Sequence, residues 1–400
     1  MRINLLLLLL ALTGQLSAQG NYTPGQSYFG TDEYIEYIPG TLPLLLSAPH
    51  GGEKTPASIP DRDCSGCSYV NDFNTQELGR ALAQALYERS GCYPHLVMNR
   101  LHRRKLDANR ALEEAADGNP NAEQAWTEFH TFMETARTQI GQTFGKGFYV
   151  DLHGHGHSIQ RLELGYLHTK TELQLPDSVL NLAPYPTDNS IRKLSAANPN
   201  NLSHAELLRG ALSLGALLHQ RGYPAVPSPA DPFPDADEDY FNGGYNTNRY
   251  GSYNGGVLDG VQIECNRNGI RDNLSNVERF ADSLAVSLLQ YLQTHYFGPQ
   301  APEWCSASAV AAPHTHGAPQ FLKIYPNPAS DYLVLEKNGQ AQAPLQLLLF
   351  NFSGGLIQSL PLDAPQTRIA LPRAQFPAGL YHYQLFLGGK SLQSGSISVF

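Results

Sequence analysis

The chain has 400 residues, 42% of them hydrophobic, and a formal net charge of −9 at pH 7. This length suits two or three domains with a sizeable buried core. The only basic tract is Arg103-Arg104-Lys105, so charge argues against nucleic acid or an anionic membrane as a partner.

Residues 1–18 have the features of a secretory signal peptide, with Arg2 as its positive start, a leucine-rich core over residues 5–12 and a small-residue cleavage site ending at Ala18. The apolar run is shorter than the about 20 residues that cross a bilayer. No other segment approaches that length, so we predict an exported protein without a transmembrane segment.

The cysteine count is odd, at five. At least one thiol is therefore free or bonded to another molecule. Cys64 and Cys67 have the spacing of a metal knuckle, but no second such pair exists. Because disulfides are permitted outside the cytoplasm, we predict a loop disulfide here rather than a second zinc site.

Two predicted strands each end in a histidine followed by glycine. The apolar run 42–46 leads to His50-Gly51-Gly52-Glu53, and the run 148–150 leads to His153. The glycines lack the Cβ atoms that would crowd a turn back toward one point. A catalytic zinc usually takes three protein ligands and leaves one position open. We predict that His50, Glu53 and His153 bind Zn²⁺, with His155 and His157 as rivals for the second histidine.

A further carboxylate is needed to accept a proton from a zinc-activated water. Two neutral histidines and one carboxylate leave a charge of about +1 on the metal, which lowers the pKa of a bound water to about 7. Glu264 follows the apolar run 261–263 at the end of another predicted strand. We predict Glu264 as the general base, with Glu163 as the next candidate.

Five motifs follow one another between residues 42 and 271, and in this order they resemble the N-formylglutamate amidohydrolase family. They are His50-Gly51-Gly52, residues 59–62 (IPDR), residues 107–110 (DANR), residues 151–157 (DLHGHGH) and residues 161–166 (RLELGY). That family is related in fold to the zinc carboxypeptidases. The resemblance implies a zinc-dependent hydrolase of an amide next to a carboxylate, hence a small acylated amino acid or peptide as substrate. It also keeps Asp72 as a rival to Glu53.

The resemblance further implies a substrate-binding group in residues 99–110. Related enzymes hold the substrate carboxylate with an Asn-Arg pair, which Asn109 and Arg110 match, and a guanidinium binds a carboxylate with two parallel hydrogen bonds. An additional arginine polarises the scissile carbonyl, either Arg100 or Arg103. Asp107 is expected to orient one of these arginines.

A long loop over residues 224–256 is rich in Pro, Asp, Gly, Asn and Tyr. Loops of this length in compact domains are often functional. We predict that it forms a rim or lid over the substrate and that Tyr245 contributes to substrate binding.

Alternating strands and helices over residues 19–298 predict an α/β domain with a mixed, mostly parallel sheet flanked by helices, as in the zinc carboxypeptidases. Residues 299–320 have the Pro, Ala and Ser content of a linker. Short apolar runs separated by turn residues over 321–400 predict a small all-β sandwich.

This last segment resembles the C-terminal sorting domain of the type IX secretion system. The resemblance rests on residues 324–329 (IYPNPA), residues 376–381 (FPAGLY) and a strand at the chain end. It implies a Gram-negative bacterium of the Bacteroidetes kind, a contact with that secretion machinery, and a secreted or cell-surface location.

Three functions are consistent with these features. The first is a secreted zinc amidohydrolase of the N-formylglutamate type. The second is a secreted zinc carboxypeptidase or cell-wall peptide amidase, which the extracellular location favours. The third is a non-catalytic binding protein on the same scaffold, against which the intact His50, Glu53, His153 and Glu264 argue.

Overall fold

A computed structural model describes residues 22–64, 66–298, 322–325, 329, 332–337, 345–351, 356–364, 366–377, 379–387 and 390–399. The chain divides into two units, Met1–Ala311 and Ala312–Phe400. The predicted signal peptide (1–18) and linker (299–320) lie outside the described residues, as does the boundary at residue 321.

In the first unit, eight described strands form one sheet. They are β1 (Tyr28–Phe29), β2 (Ile35–Ile38), β3 (Leu44–Ala48), β4 (His95–Asn99), β5 (Gly147–His155), β6 (Leu162–Gly165), β7 (Ala225–Val226) and β8 (Leu258–Asn266). Their order across the sheet is β1-β2-β4-β3-β5-β8-β6-β7. The central pairs β4–β3, β3–β5 and β5–β8 are parallel, as is β6–β7. The remaining pairs are antiparallel. The prediction of a mixed, mostly parallel sheet is confirmed.

Helices cover both faces of this sheet, which explains why its central strands are almost entirely apolar at their amino ends. The helices are α1 (Thr75–Ser90), α2 (Leu112–Ala116), α3 (Pro120–Phe144), α4 (Lys170–Leu173), α5 (Asp177–Leu180), α6 (Arg192–Ala196), α7 (His204–Arg209), α8 (Leu214–His219), α9 (Tyr245–Tyr250) and α10 (Leu274–Leu292). Further single turns lie at Thr31–Glu33, Ser252–Asn254, Arg267–Arg271 and Gln293–Phe297. Among the residues that the structure describes, no helix is both long and apolar enough to span a membrane.

The two faces of the sheet differ in polarity toward the carboxyl ends of the strands. Leu44 and Leu46 pack with α1 and α10 in one core, whereas Leu45 and Tyr149 pack with α3 in the other. Because side chains alternate along a strand, Ser47, Asp151 and His153 continue the α3 face. This face therefore changes from apolar to polar along β3 and β5, and the polar end holds the predicted site.

The second unit contains two antiparallel sheets with a common core. Its strands are β9 (Leu322–Tyr325), β10 (Tyr332–Lys337), β11 (Leu345–Asn351), β12 (Leu356–Leu362), β13 (Gln366–Ala370), β14 (Gly379–Leu387) and β15 (Lys390–Val399). The sheet orders are β13-β10-β9 and β12-β11-β14-β15. Leu333 of the first sheet and Leu347 and Leu385 of the second are buried together. The predicted small all-β sandwich is confirmed.

The predicted loop disulfide is also present, between Cys64 and Cys67. Buried Arg62 holds this loop in place. Its guanidinium donates to the carbonyl of Ser68 at 2.7 Å and to that of Arg103 at 3.0 Å. Cys265, buried in β8, is a free thiol.

Candidate metal centre

Three ligand-type side chains from distant parts of the chain converge at the carboxyl ends of β3 and β5. The ligating atoms of His50, Asp72 and His153 lie within 4.8 Å of one another, and all three residues are buried. The Nδ1 atoms of His50 and His153 lie 3.3 Å and 3.1 Å from the same carboxylate oxygen, Oδ2 of Asp72. We call these three residues the metal cluster.

Local packing fixes the loop that carries His50. A Cβ atom on Gly51 would lie 2.4 Å from the Thr75 hydroxyl, and one on Gly52 would lie 2.3 Å from the Arg100 backbone. Glycine at both positions lets this loop run close to the start of α1 and the end of β4. The Asp72 N–H donates to the His50 carbonyl at 3.0 Å. The loop before α1 is thus tied directly to the loop after β3.

Each histidine of the cluster has a carboxylate on its other ring nitrogen. Nε2 of His50 donates to Oδ1 of Asp107 at 2.6 Å, and Nε2 of His153 lies 3.0 Å from Oδ2 of Asp151. Metal-binding histidines are typically held this way, because the carboxylate fixes the tautomer and ring orientation and leaves the nearer nitrogen to the metal. The arrangement directs both Nδ1 atoms toward Asp72.

These two carboxylates are themselves held by neighbouring groups. Asp107 accepts a hydrogen bond from Nε of Arg103 at 2.9 Å, so it contacts one of the two arginines that it was expected to orient. Asp151 accepts from the hydroxyl of Ser47, which also contacts the Tyr149 hydroxyl at 2.6 Å. A continuous polar network therefore runs from β3 through the cluster to the loop after β4.

The charges in this region favour a divalent cation. Five buried carboxylates and three guanidinium groups that are buried or nearly so lie in this region. The carboxylates are Asp72, Asp107, Asp151, Glu163 and Glu264, and the guanidinium groups are those of Arg62, Arg103 and Arg271. Unpaired buried charge is strongly unfavourable. Two imidazoles and a carboxylate are also ordinary ligands of divalent transition metals. The residues present fit such an ion.

Ionisation within the cluster follows from burial and pairing. Burial opposes the charged form of Asp72, but hydrogen bonds with His153 and His50 lower the pKa of Asp72 below its usual range. Burial also opposes the charged form of His153. The negative charge of Asp151 and the hydrogen bonds to Asp151 and Asp72 nevertheless raise the pKa of His153 well above its usual value.

Glu264 lies beside the cluster, because its backbone is the direct partner of His153 in the β5–β8 pairing. Its Oε1 is 4.0 Å from Nδ1 of His153 and accepts a hydrogen bond from Gln262 at 2.8 Å. Burial raises the pKa of Glu264 to about 8, and the charges of Asp72 and Glu163 add to this effect against the opposing charge of His153. This carboxyl group is thus able to gain or lose a proton near neutral pH.

The structure does not bring Glu53 to the cluster. Glu53 is exposed, and the carboxylate that joins His50 and His153 is Asp72, the rival that the sequence left open. His155 is buried in a neighbouring group, where its Nε2 donates to the Arg161 carbonyl at 2.8 Å. The expected set of His50, Glu53 and His153 is therefore corrected in one member.

The two arginines predicted as candidates to polarise the scissile carbonyl, Arg100 and Arg103, lie in different places. Arg103 is at the cluster, where Nη1 lies 3.8 Å from Oδ1 of Asp72. The guanidinium of Arg100 instead donates to Glu33 at 3.0 Å and lies 3.9 Å from Glu36. Arg100 is therefore held by carboxylates outside the cluster, and the geometry separates two residues that the sequence did not.

The predicted substrate-binding residues divide in the same way. Asn109 is buried at the cluster, with Nδ2 3.4 Å from Nε2 of His153. Arg110 donates through Nε to Glu114 at 2.9 Å and through Nη1 to the Asn109 carbonyl at 2.9 Å. The Tyr245 hydroxyl accepts from Arg249 at 2.9 Å. Neither Arg110 nor Tyr245 contacts the cluster.

The long loop of residues 224–256 does pack against the site. Its Asn246 N–H donates to Oδ1 of Asn109 at 2.8 Å, and its Phe241 N–H donates to Oε2 of Glu163 at 2.8 Å. Gly244 approaches so closely that a Cβ there would lie 2.5 Å from Nδ2 of Asn109. The loop thus forms a wall of the site, in agreement with the predicted rim.

Sequence reasoning missed Asp151 and Gln262, which orient His153 and Glu264. The signal was present, because each lies two residues before its partner on the same strand and therefore on the same face. A polar side chain in a buried strand is itself unusual. At that position it indicates an interaction that orients the neighbouring candidate ligand or base.

Comparison with known proteins identifies one family within the chain. Residues 323–397 match the family described as Secretion system C-terminal sorting domain. No curated protein matches the chain. This finding supports export and leaves the activity of the first unit open.

Several solved structures are similar to the chain. They include N-formylglutamate amidohydrolase from Ralstonia eutropha JMP134, with 13% identity, a TM-score of 0.40 and coverage of 63% of this chain and 94% of that one. A metallopeptidase-like protein from Shewanella amazonensis SB2B has 10% identity, a TM-score of 0.29 and coverage of 65% and 80%. The CwlD amidase from Clostridioides difficile, in complex with the GerS lipoprotein, has 12% identity, a TM-score of 0.25 and coverage of 62% and 98%. Similarities this low assign no activity to the chain.

Proposed function

We propose that the first unit is a zinc-dependent hydrolase that cleaves an amide bond next to a carboxylate. The observation that carries the proposal is the convergence of two histidine Nδ1 atoms and one carboxylate oxygen beside a buried glutamate. His50, Asp72 and His153 hold the metal, so Asp72 takes the place that the sequence gave to Glu53. Zn²⁺ bound there would lower the pKa of a water molecule and polarise a carbonyl group.

The protein's own residues supply the remaining steps. Glu264 accepts a proton at its carboxylate and later releases it to the leaving nitrogen, which is general acid–base catalysis. Its burial and its hydrogen bond from Gln262 hold it in position for this exchange. Arg103, rather than Arg100, lies close enough to the cluster to stabilise negative charge that develops on the reacting carbonyl oxygen.

The substrate in this proposal is a small acylated amino acid, as in N-formylglutamate amidohydrolases, or a peptide with a free carboxyl terminus. The secretion-type tail favours the second, because peptides and cell-wall fragments are available outside the cell. Asn109 faces the cluster and is suited to hold a polar group of either substrate.

An activity screen tests this proposal. The zinc-loaded chain from Gln19 onward is offered N-formyl amino acids and, separately, peptides with free carboxyl termini. We expect hydrolysis of at least one set, loss of hydrolysis with a chelator and recovery on adding Zn²⁺. Absence of hydrolysis in both sets, with zinc bound, would favour the non-catalytic binding protein.

We also propose that the C-terminal unit directs the protein to the type IX secretion machinery, giving a secreted or cell-surface location. The family match over residues 323–397 supports this. In a bacterium that has this system, the full chain is expected at the surface or in the medium. A chain ending at Gly298 is expected to stay in the periplasm, and its appearance outside the cell would contradict the proposal.

A further inference from the structure

A second group of potential ligands lies next to the metal cluster. His155, His157 and Glu163 also have ligating atoms within 4.8 Å of one another. Both ring nitrogens of His155 are already used, since Nε2 donates to the Arg161 carbonyl at 2.8 Å and Nδ1 accepts from the His157 N–H at 3.1 Å. The remaining partners, Nδ1 of His157 and Oε1 of Glu163, are 2.7 Å apart. That is an ordinary hydrogen bond, shorter than the spacings around Asp72.

This pair lies on the same side of the sheet as the metal cluster. Glu163 of β6 is the direct partner of Glu264 in β8, and Glu264 is the direct partner of His153 in β5. Directly paired residues project to the same face of a sheet, and neighbouring strands lie about 4.8 Å apart. Glu163 is therefore about 10 Å from His153, backbone to backbone. An extended ligand of two or three residues spans such a distance.

The environment of His157 leaves one of its nitrogens for a ligand. Its side chain is 20% exposed, against 2% for Glu163. Its ring stacks on Phe241 with 4.7 Å between centroids and 24° between planes. Phe241 also donates its N–H to the other oxygen of Glu163 at 2.8 Å. Glu163 thus holds Nδ1 of His157 and fixes the orientation of the ring, so that Nε2 is the nitrogen left for a ligand.

Three of the arginines near the site are paired with carboxylates. Arg110 is bonded to Glu114, and Arg100 to Glu33. Arg161 donates to Asp231 at 2.8 Å and to Glu238 at 2.6 Å. Within the described part of the chain, Nε2 of His157 has no hydrogen-bond partner, whereas each of these three arginines has a carboxylate.

We propose that His157, oriented by Glu163, binds the carboxylate of the substrate and sets the preference for acidic ligands, the role that the sequence assigned to Arg110. This inference rests on the proposed amide hydrolysis at the metal cluster. A hydrogen bond with an ionised partner is stronger than one between neutral groups, so the carboxylate is held better than an uncharged amide.

The experiment uses two substrates that differ only in this group, an N-acylated dipeptide with a free carboxyl terminus and its carboxamide. Wild type is expected to prefer the carboxylate by about 10–100-fold in kcat/KM. His157→Gln is expected to lose most of this preference, mainly through a higher KM for the carboxylate, and Glu163→Gln is expected to lose part of it. Ser158→Ala, at an exposed neighbouring position, is the matched control and is expected to keep it.

Two results would overturn the proposal. One is an equal loss on both substrates in His157→Gln, which would indicate a general structural role. The other is a lower zinc content in that variant, which would make the pair part of a metal site. If the screen finds no hydrolysis, calorimetry of the two compounds with the zinc-loaded Glu264→Gln chain still measures the binding preference. Failure of the proposed activity and failure of this inference are therefore distinguishable.

Discussion

Replacing Asp72 with Ala is expected to remove stoichiometric zinc from the purified chain, whereas replacing Glu53 with Ala is expected to leave one zinc per chain. Oδ2 of Asp72 is the point on which both histidine Nδ1 atoms converge, at 3.3 Å and 3.1 Å. Without it, two neutral imidazoles remain, and the site loses the negative charge that offsets the cation. Zinc content after dialysis, measured by atomic spectroscopy, distinguishes the two variants.

A graded comparison strengthens this prediction. Asp107→Asn removes the charge of the group that accepts from Nε2 of His50, while all three cluster residues remain. Replacing a hydrogen-bond partner of a metal ligand typically lowers metal affinity by about 10–100-fold. We therefore expect weakened but measurable zinc binding. Asp72→Ala is expected to exceed that range. Loss of zinc in Glu53→Ala, with Asp72→Ala still loaded, would instead restore the choice made from sequence spacing.

The contrast between Glu53 and Asp72 shows what the sequence leaves undetermined. A histidine and a glutamate three residues apart are easily recognised as a local pattern. The two glycines between them, however, pack against Thr75 and the Arg100 backbone. This packing carries the chain past the cluster and leaves Glu53 in solvent. Asp72 is 22 residues from His50, and only the tertiary contact of the two loops brings it in.

Local competition explains why Arg110 differs from expectation. Glu114, in the helix that begins just after Arg110, forms an ion pair with Arg110. The sequence contains that pairing, but the Asn-Arg resemblance pointed to a substrate contact instead. By contrast, His50, His153 and Glu264 follow apolar strands directly. Their meeting at one edge depends only on strand order, which alternating strands and helices largely determine.

The apolar spacing of the sequence also leaves one break between helices undetermined. Residues 203–222 have the apolar spacing and the Ser203–Glu206 capping box of one helix, and the capping box is present. The structure nevertheless has two helices here, His204–Arg209 and Leu214–His219. Gly210 is extended, with φ −79° and ψ 178°, and the side chain of Ser213 caps the second helix. A second N-cap signal inside one periodic stretch marks such a break.

Replacing Glu264 with Gln is expected to lower kcat by about 10²–10⁴-fold, the usual contribution of a general base, with zinc content and KM nearly unchanged. The amide of Gln has nearly the size of the carboxyl group but accepts no proton at neutral pH. Because Glu264 lies 4.0 Å from His153 rather than within the cluster, its loss leaves the three ligands in place. Steady-state kinetics and zinc analysis on the same preparation test both halves of this expectation.

The same variant has a second, metal-free readout. Glu264 has a pKa of about 8 in the folded chain against an ordinary value of 4.5. Between these values the folded protein holds a proton that the unfolded chain releases. The contribution of Glu264 to folding is therefore fully present below about pH 4.5 and is lost as the pH rises through about 8. Between these two pH values, this contribution to the free energy of unfolding falls by up to about 1.4 kcal/mol per pH unit.

In chelator-treated protein, urea unfolding at pH 5 and pH 8 should therefore show a larger loss of stability for wild type than for Glu264→Gln. Equal pH dependence in the two proteins would mean that Glu264 titrates normally and is not poised near neutrality. For catalysis, Glu163→Gln is the variant to compare, since Glu163 is the neighbouring buried carboxylate in the β6–β8 pairing and the next candidate for the base. If Glu264→Gln kept near-wild-type kcat while Glu163→Gln lost it, the proton would be accepted at Glu163. Since Glu163 lies one strand further from His153 than Glu264 does, the base would then lie further from the metal.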